Sequence, residues 1–312
     1  MSRPKIAFIG AGNVGATCAL YCVQESLGDC VLIDVVDGLA AGKALDMLET
    51  APLLESAVNV TGTTDFSAVA GADVVVITAG LARKPGMSRS DLLKTNVEII
   101  TSCCDAVKQH APNSTIVMVT NPLDVMSWVA LKATGFDPSR VVGMAGILDS
   151  ARFSAFIAQE LGISVSGVNA MVLGGHGDSM VPLPRFTSVS GVPLPELMDG
   201  ATIERLADRT RKAGAEIVGL LKSGSAYYSP GRAAARMVGA ILNDTKEVLP
   251  CSAYLSGQYG QDGIYLGVPV VLGAGGVEKI LELDLQDDER ALLAKSVEAV
   301  RSVMDSMEGV TL

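Results

Sequence analysis

The stretch Gly10-Ala11-Gly12-Asn13-Val14-Gly15 limits what this chain can fold into more than any other. It ends a short apolar run over residues 5–10 and opens a segment of helical spacing over residues 13–27. A second apolar run over residues 30–33 ends in Asp34, nineteen residues past Gly15. Strand, glycine turn, helix, strand and acid in this order form the opening unit of a parallel α/β sheet that binds a dinucleotide. Gly10 permits the tight turn, Gly12 lets backbone amides approach a pyrophosphate, and Gly15 lets helix pack against strand. The helix N-terminus adds partial positive charge where the phosphates would lie. Asp34 is placed to accept hydrogen bonds from an adenine-ribose diol and to repel a 2′-phosphate, which favours NAD over NADP. Asp37 is the alternative reader of the ribose.

The alternation continues. Helix is predicted over 38–54, strand over 58–62 and 72–78, a long helix over 90–110, strand over 114–120, helix over 122–133 and a short strand at 141–142. Beyond Gly143 the pattern changes: helix over 147–161, strands over 165–173 and 185–189, helices over 195–221 and 226–242. Strands near 246–255 and 263–272 and a charged closing helix over 287–307 complete it. No second glycine fingerprint, linker or repeat is present. The expected fold is α/β, a Rossmann-type doubly wound parallel sheet (residues 1–143) followed by an α+β catalytic domain (residues 144–312), packed around a cleft.

Of the residues, 49% are hydrophobic, enough for a substantial core. A net charge of -10 argues against non-specific binding to nucleic acid or an anionic membrane, so positive charge for an anionic ligand must be concentrated locally. Cys18, Cys22, Cys30, Cys103, Cys104 and Cys251 form neither a C-x-x-C pair nor a zinc spacing, and read as reduced core thiols with no metal. Met1-Ser2-Arg3-Pro4-Lys5 runs straight into the first strand, and no apolar run approaches a membrane span. A cytoplasmic location is therefore expected, with the sequons at Asn59, Asn113 and Asn243 incidental.

The chain holds two histidines. His110 ends a helix and reads as part of its C-terminal cap. His176 lies in Leu173-Gly174-Gly175-His176-Gly177-Asp178, where glycines end an apolar run and leave the imidazole uncrowded, as proton transfer requires. Three loops are candidates to face it. One carries Arg83 and Arg89 across Pro85-Gly86, guanidinium forks that match carboxylates. Another carries Asn121 at a strand end, either a ligand contact or a helix cap. The third opens a helix with Asp149 and Arg152, three residues apart and hence on one face, readable also as a surface ion pair.

Taken together, the glycine motif, Ala82-Arg83-Lys84-Pro85-Gly86-Met87-Ser88-Arg89, Thr120-Asn121-Pro122-Leu123-Asp124, Ile147-Leu148-Asp149-Ser150-Ala151-Arg152 and Gly175-His176-Gly177-Asp178 resemble, in order and end to end, the L-malate/L-lactate dehydrogenase family. Within it the chain looks most like the malate enzymes built as lactate dehydrogenases. Leu39-Ala40-Ala41, where relatives often carry a proline, is a minor departure. The resemblance implies NAD-dependent, reversible oxidation of (S)-malate to oxaloacetate. It makes His176 the acid/base, Asp149 its orienting carboxylate, Arg152 the fork for the C1 carboxylate and Arg89 the group that polarises the C2 oxygen. Asn121 would bond that oxygen or the nicotinamide ribose. Gly10, Gly12, Asn13, Val14, Gly15, Asp34, Asn96, Val119 and Asn121 are implied cofactor contacts, Ser225 lies near the site, and a homo-oligomer, tetramer before dimer, is implied.

Arg83 is implied to pair with the second carboxylate of a C4 diacid, where lactate enzymes usually carry a neutral side chain; the flexible ammonium of Lys84 fits a bidentate task less well. A lactate or other 2-hydroxyacid dehydrogenase is the nearer alternative. A non-catalytic NAD-binding protein on the same fold is the alternative of another class.

Overall fold

The computed structural model describes residues 3–81 and 89–307, and of residues 89–91 the backbone alone. The first half runs β1 (Lys5–Ile9), α1 (Asn13–Gln24), β2 (Asp29–Ile33), α2 (Leu39–Thr50), β3 (Val60–Thr63), β4 (Val74–Ile77), α3 (Arg89–His110), β5 (Thr115–Met118), α4 (Leu123–Thr134) and β6 (Val141–Gly143). The second runs α5 (Gly146–Leu161), β7 (Val168–Asn169), β8 (Val172–Leu173), β9 (Val181–Pro182), β10 (Ser188–Val189) and β11 (Val192–Pro193). It continues with α6 (Gly200–Leu221), α7 (Tyr228–Leu242), β12 (Glu247–Ser256), β13 (Asp262–Gly273), β14 (Gly276–Ile280) and α8 (Asp287–Asp305).

Strands β1 to β6 lie parallel in the order β6-β5-β4-β1-β2-β3, so the chain reverses its winding between β1 and β4. Ligands of such sheets collect at the carboxyl ends beside that reversal. Period-two alternation accounts for the two layers: Ile6 and Phe8 of β1 face one core with α1 and α7, while Ala7 and Ile9 face the other with α3 and α4. Both faces are apolar, so the central parallel strands β1, β4 and β5 are buried along nearly their whole length, whereas the edge strand β3, Val-Thr-Gly-Thr, is not.

The sheet does not stop at β6. Strands β12, β13 and β14 extend it antiparallel, joined through Ser252 opposite Gly143, to give nine strands among the described residues. Helix α7 from the second half covers the first half's sheet. A side chain at Gly231 would meet the Thr17 Cβ at 2.8 Å and the Cys18 nitrogen at 3.0 Å, which is why α7 lies this close to α1. All six cysteines are buried and free. Among the described residues no helix is long and apolar enough to cross a membrane.

The second half departs from the predicted elements in several places. The strand predicted over 165–173 is a 3-10 turn followed by two two-residue strands, β7 and β8, which pair with different partners, and Val165 is 53% exposed. Ser164 accepts the Ser166 N–H through its side chain, a local bond that competes with a ladder. Pro184 likewise turns part of 185–189 into a 3-10 segment. Helix α6 starts at Gly200 rather than 195, because Asp199 caps it through the Thr202 N–H. β14 was not anticipated, since its exposed Glu278 and Lys279 mask an edge strand.

Candidate active site

The glycine turn between β1 and α1 is built as its residue types demand. Gly10 sits at φ +102°, and a Cβ there would lie 2.6 Å from the Ala79 nitrogen. A Cβ at Gly15 would lie 2.0 Å from the Gly10 carbonyl oxygen. These two glycines are required by the protein's own packing. Gly12 is not: its φ of -63° suits any residue, and a Cβ there would meet nothing within 4 Å. A bare backbone facing open space at a helix N-terminus is the arrangement a pyrophosphate needs, so the chain's own residues fit a dinucleotide.

Gly10, Gly12 and Asp34 line a cleft of about 590 Å³ at the strand ends, bounded by Val36, Phe66, Gly80 and Ile99. The Asp34 carboxylate accepts the Ala11 N–H at 2.7 Å and the Val36 N–H at 3.0 Å, one on each oxygen. It thereby holds the glycine turn and keeps lone pairs available toward the cleft. Lys43 of α2 donates to the Ala11 carbonyl at 2.8 Å, a brace on the same turn that no sequence motif signalled.

A second pocket, of about 340 Å³, begins on the other side of the turn. Val14, Val119, Asn121, Arg152, His176 and Ser225 line it, joined by Leu148, Met180, Arg211 and Gly214. Six of the residues singled out in the sequence thus converge from five separate segments. Asn13 is exposed at the start of α1. Asn96 faces neither space: it is 1% exposed, its Oδ1 accepts the Leu81 N–H at 2.8 Å and its Nδ2 donates to the Asn121 carbonyl at 3.0 Å. It ties together the loops after β4 and β5. Arg83 and Lys84 lie outside the described residues, and of Arg89 only the backbone is described, as the first residue of α3.

The constellation around His176 is compact. Nδ1 of His176 is 2.8 Å from Oδ2 of Asp149, whose other oxygen accepts from Nη1 of Arg152 at 3.4 Å. The Asp149 side chain is only 2% exposed, so the i, i+3 pair on α5 is no surface ion pair. Burial works against a charged imidazole, but the Asp149 carboxylate, by charge and hydrogen bond, and Asp124 beyond it outweigh that and hold His176 above its ordinary value. The Nε of Arg152 is buried without a hydrogen-bond partner among the described residues. An unmatched guanidinium N–H at a pocket wall is costly unless an anion completes it.

Sequence reasoning missed Asp124 and Ser252. Asp124 accepts the His176 backbone N–H at 2.9 Å and the Ser252 hydroxyl at 2.7 Å, and is 5% exposed. The available signal was an acid in the first turn of an otherwise apolar helix.

Comparison with known proteins places this geometry among relatives. Residues 4–143 match the family described as lactate/malate dehydrogenase, NAD binding domain, and residues 147–310 its alpha/beta C-terminal domain. Malate dehydrogenase of Roseiflexus sp. (strain RS-1) is 53% identical over 308 residues, covering 99% of this chain and all of the relative. The structure of malate dehydrogenase from Salinibacter ruber is similar with a TM-score of 0.94 at 50% identity, covering 97% of each chain. That of lactate dehydrogenase from Cryptosporidium parvum, complexed with lactic acid and nicotinamide adenine dinucleotide, is similar with a TM-score of 0.96 at 42% identity, covering 100% of each.

Proposed function

The chain belongs to the lactate/malate dehydrogenase family, and from that premise we propose that it interconverts (S)-malate and oxaloacetate with NAD. The observation that carries the reading is a buried carboxylate orienting the His176 imidazole beside a guanidinium whose Nε lacks a partner. Bound NAD supplies the hydride acceptor for oxidation of malate, and its reduced form the donor in reverse. Gly12, Asn13 and Val14 would hold the cofactor's phosphates on the turn that Gly10 and Gly15 shape, Asp34 would hold its adenine ribose, and Val119 and Asn121 would contribute toward its nicotinamide end. Asn96 contributes through the Leu81 and Asn121 backbone it braces.

In oxidation, neutral His176 keeps its proton on Nδ1, which donates to the Asp149 carboxylate, so Nε2 is the free base and takes the C2 hydroxyl proton. Asp149 then stabilises the imidazolium. Arg152 clamps the C1 carboxylate, Arg89 draws on the C2 oxygen as charge develops, and Arg83 pairs with the C4 carboxylate. Malate rather than lactate rests on Arg83 and on the identity to malate enzymes, because the backbone matches both kinds of relative equally well.

The test is an NADH-oxidation assay with oxaloacetate and with pyruvate, followed across pH. Oxaloacetate is expected to be the much better substrate; preference for pyruvate makes this a lactate enzyme, and no turnover of either makes it a binding protein. The His176 pKa lies above its ordinary value, so the neutral base needed for malate is lost as pH falls through that raised value. The imidazolium needed for oxaloacetate is lost as pH rises through it. Two limbs running the same way would remove His176 from the proton transfer.

Homo-oligomerisation belongs to the same proposal. Leu45 and Leu48 of α2 are 56% and 39% exposed, with Leu20 of the neighbouring α1 at 38% and Leu53 at 84%, an apolar face suited to a second copy. A sedimentation mass of one 32.2 kDa chain would contradict it.

A further inference from the structure

His176 is held by more than its partner at Nδ1. Among the described residues, four fasten its loop between β8 and β9: Gly267 of β13 pairs with Gly174, Ser296 of α8 accepts the Gly175 N–H at 2.8 Å and donates to the Ser179 hydroxyl at 3.3 Å, Asp124 of α4 accepts the His176 N–H, and Arg211 of α6 reaches the Met180 carbonyl. Behind the loop, a cavity of about 280 Å³ lined by Asp124, His176, Ser179 and Val300 leaves that side open. Gly175 is close-packed, a Cβ there falling 2.7 Å from Val300, but His176 itself borders the cavity, and on that side its backbone is held by the hydrogen bond to Asp124.

We infer that Asp124 is a positioning residue for the proposed proton transfer, fixing the His176 backbone from a carboxylate that Ser252 of β12 holds in place. The inference rests on His176 being the acid/base. Asp124 is the only one of the four fasteners that acts on His176 itself and also carries charge. Its oxygens are divided, Oδ2 to the His176 N–H and Oδ1 to the Ser252 hydroxyl, so the carboxylate cannot turn without losing one. It thus links the central sheet, through Ser252 opposite Gly143, to the catalytic loop.

Among the described residues, the charged groups around His176 are Asp149 and Arg152 from α5, Asp124 from α4, Asp178 of its own loop and Arg211 from α6, while α8 offers the uncharged Ser296 and Val300. Of these, Asp149 acts most strongly to raise the imidazole pKa and Asp124 adds to it, though burial of Asp124 raises its own carboxyl above the ordinary range.

Two substitutions separate tether from charge. Asp124→Ala removes both, and a displaced imidazole is expected to lower kcat on the order of a hundredfold with KM for malate little changed. Asp124→Asn can still accept the His176 N–H at its carbonyl and donate to Ser252. It is therefore expected to recover most of the kcat lost in the alanine variant while the acid limb of kcat/KM for malate moves to lower pH. Wild-type kcat in a folded Asp124→Ala protein overturns the inference. Should that variant not fold, an Asp124→Asn enzyme whose acid limb stays at the wild-type pH overturns it. His176→Asn run alongside keeps the two readings distinguishable: if it retains turnover the proposed chemistry fails, whereas if it is inactive and the Asp124 variants behave as wild type, only the role of Asp124 fails.

Discussion

The His176→Asn variant is expected to lose on the order of a thousandfold or more in kcat in both directions while binding NADH as the wild type does. Asparagine offers no group that titrates near neutrality, so neither the hydroxyl proton of malate nor the carbonyl of oxaloacetate finds its partner. The fold should survive, because Asp149 is not left alone when the imidazole goes: Arg152 still pairs with its other oxygen. A buried carboxylate that keeps a guanidinium partner costs far less than one that loses its only one. The cleft at the glycine turn, where the phosphates and adenine ribose would bind, does not include His176, so most contacts to NADH are left intact and its binding serves as the control. A loss of only a fewfold in kcat would mean that water or another side chain handles the proton.

Arg83→Gln is expected to shift the ratio of oxaloacetate to pyruvate kcat/KM on the order of a thousandfold, nearly all of it by loss on oxaloacetate. The two substrates differ by a carboxylate, and a closing, dehydrated pocket magnifies the cost of leaving either a carboxylate or a guanidinium unpaired. The fold cannot make this choice, since malate and lactate relatives superimpose on the chain at TM-scores of 0.94 and 0.96. A side chain must, and position 83 lies outside the described residues. Equal loss on both substrates would take Arg83 out of the specificity role and leave Lys84 as the cation to examine.

Much of this arrangement was legible in the residues. The unit from β1 to β2 announces itself because glycine, apolar runs and a terminal acid each satisfy a separate physical need. Here Gly10 and Gly15 are demanded by contact distances and Gly12 by open space. The pair Asp149 and Arg152 was only half legible: spacing puts them on one face of α5, but a surface pair and a buried one look alike in the sequence. Segment 165–173 misled because apolar residues suggest a ladder, whereas Ser164 and Gly167 favour a turn. Asp124 was hidden for a different reason. Its partners Ser252 and His176 lie 128 and 52 residues away, and no local pattern records a contact across that distance.

The central claim is that the imidazole of His176, oriented by Asp149, exchanges a proton with the C2 oxygen of a dicarboxylate clamped by Arg152. A crystal structure with oxidised NAD and oxaloacetate, both oxidised and so unable to react, tests it most directly. The account predicts Nε2 of His176 within about 3 Å of the C2 oxygen and the C1 carboxylate on the Arg152 guanidinium, its Nε included. An oxaloacetate bound with its C2 oxygen beyond hydrogen-bond reach of His176, or with Arg152 still unpaired, would contradict it.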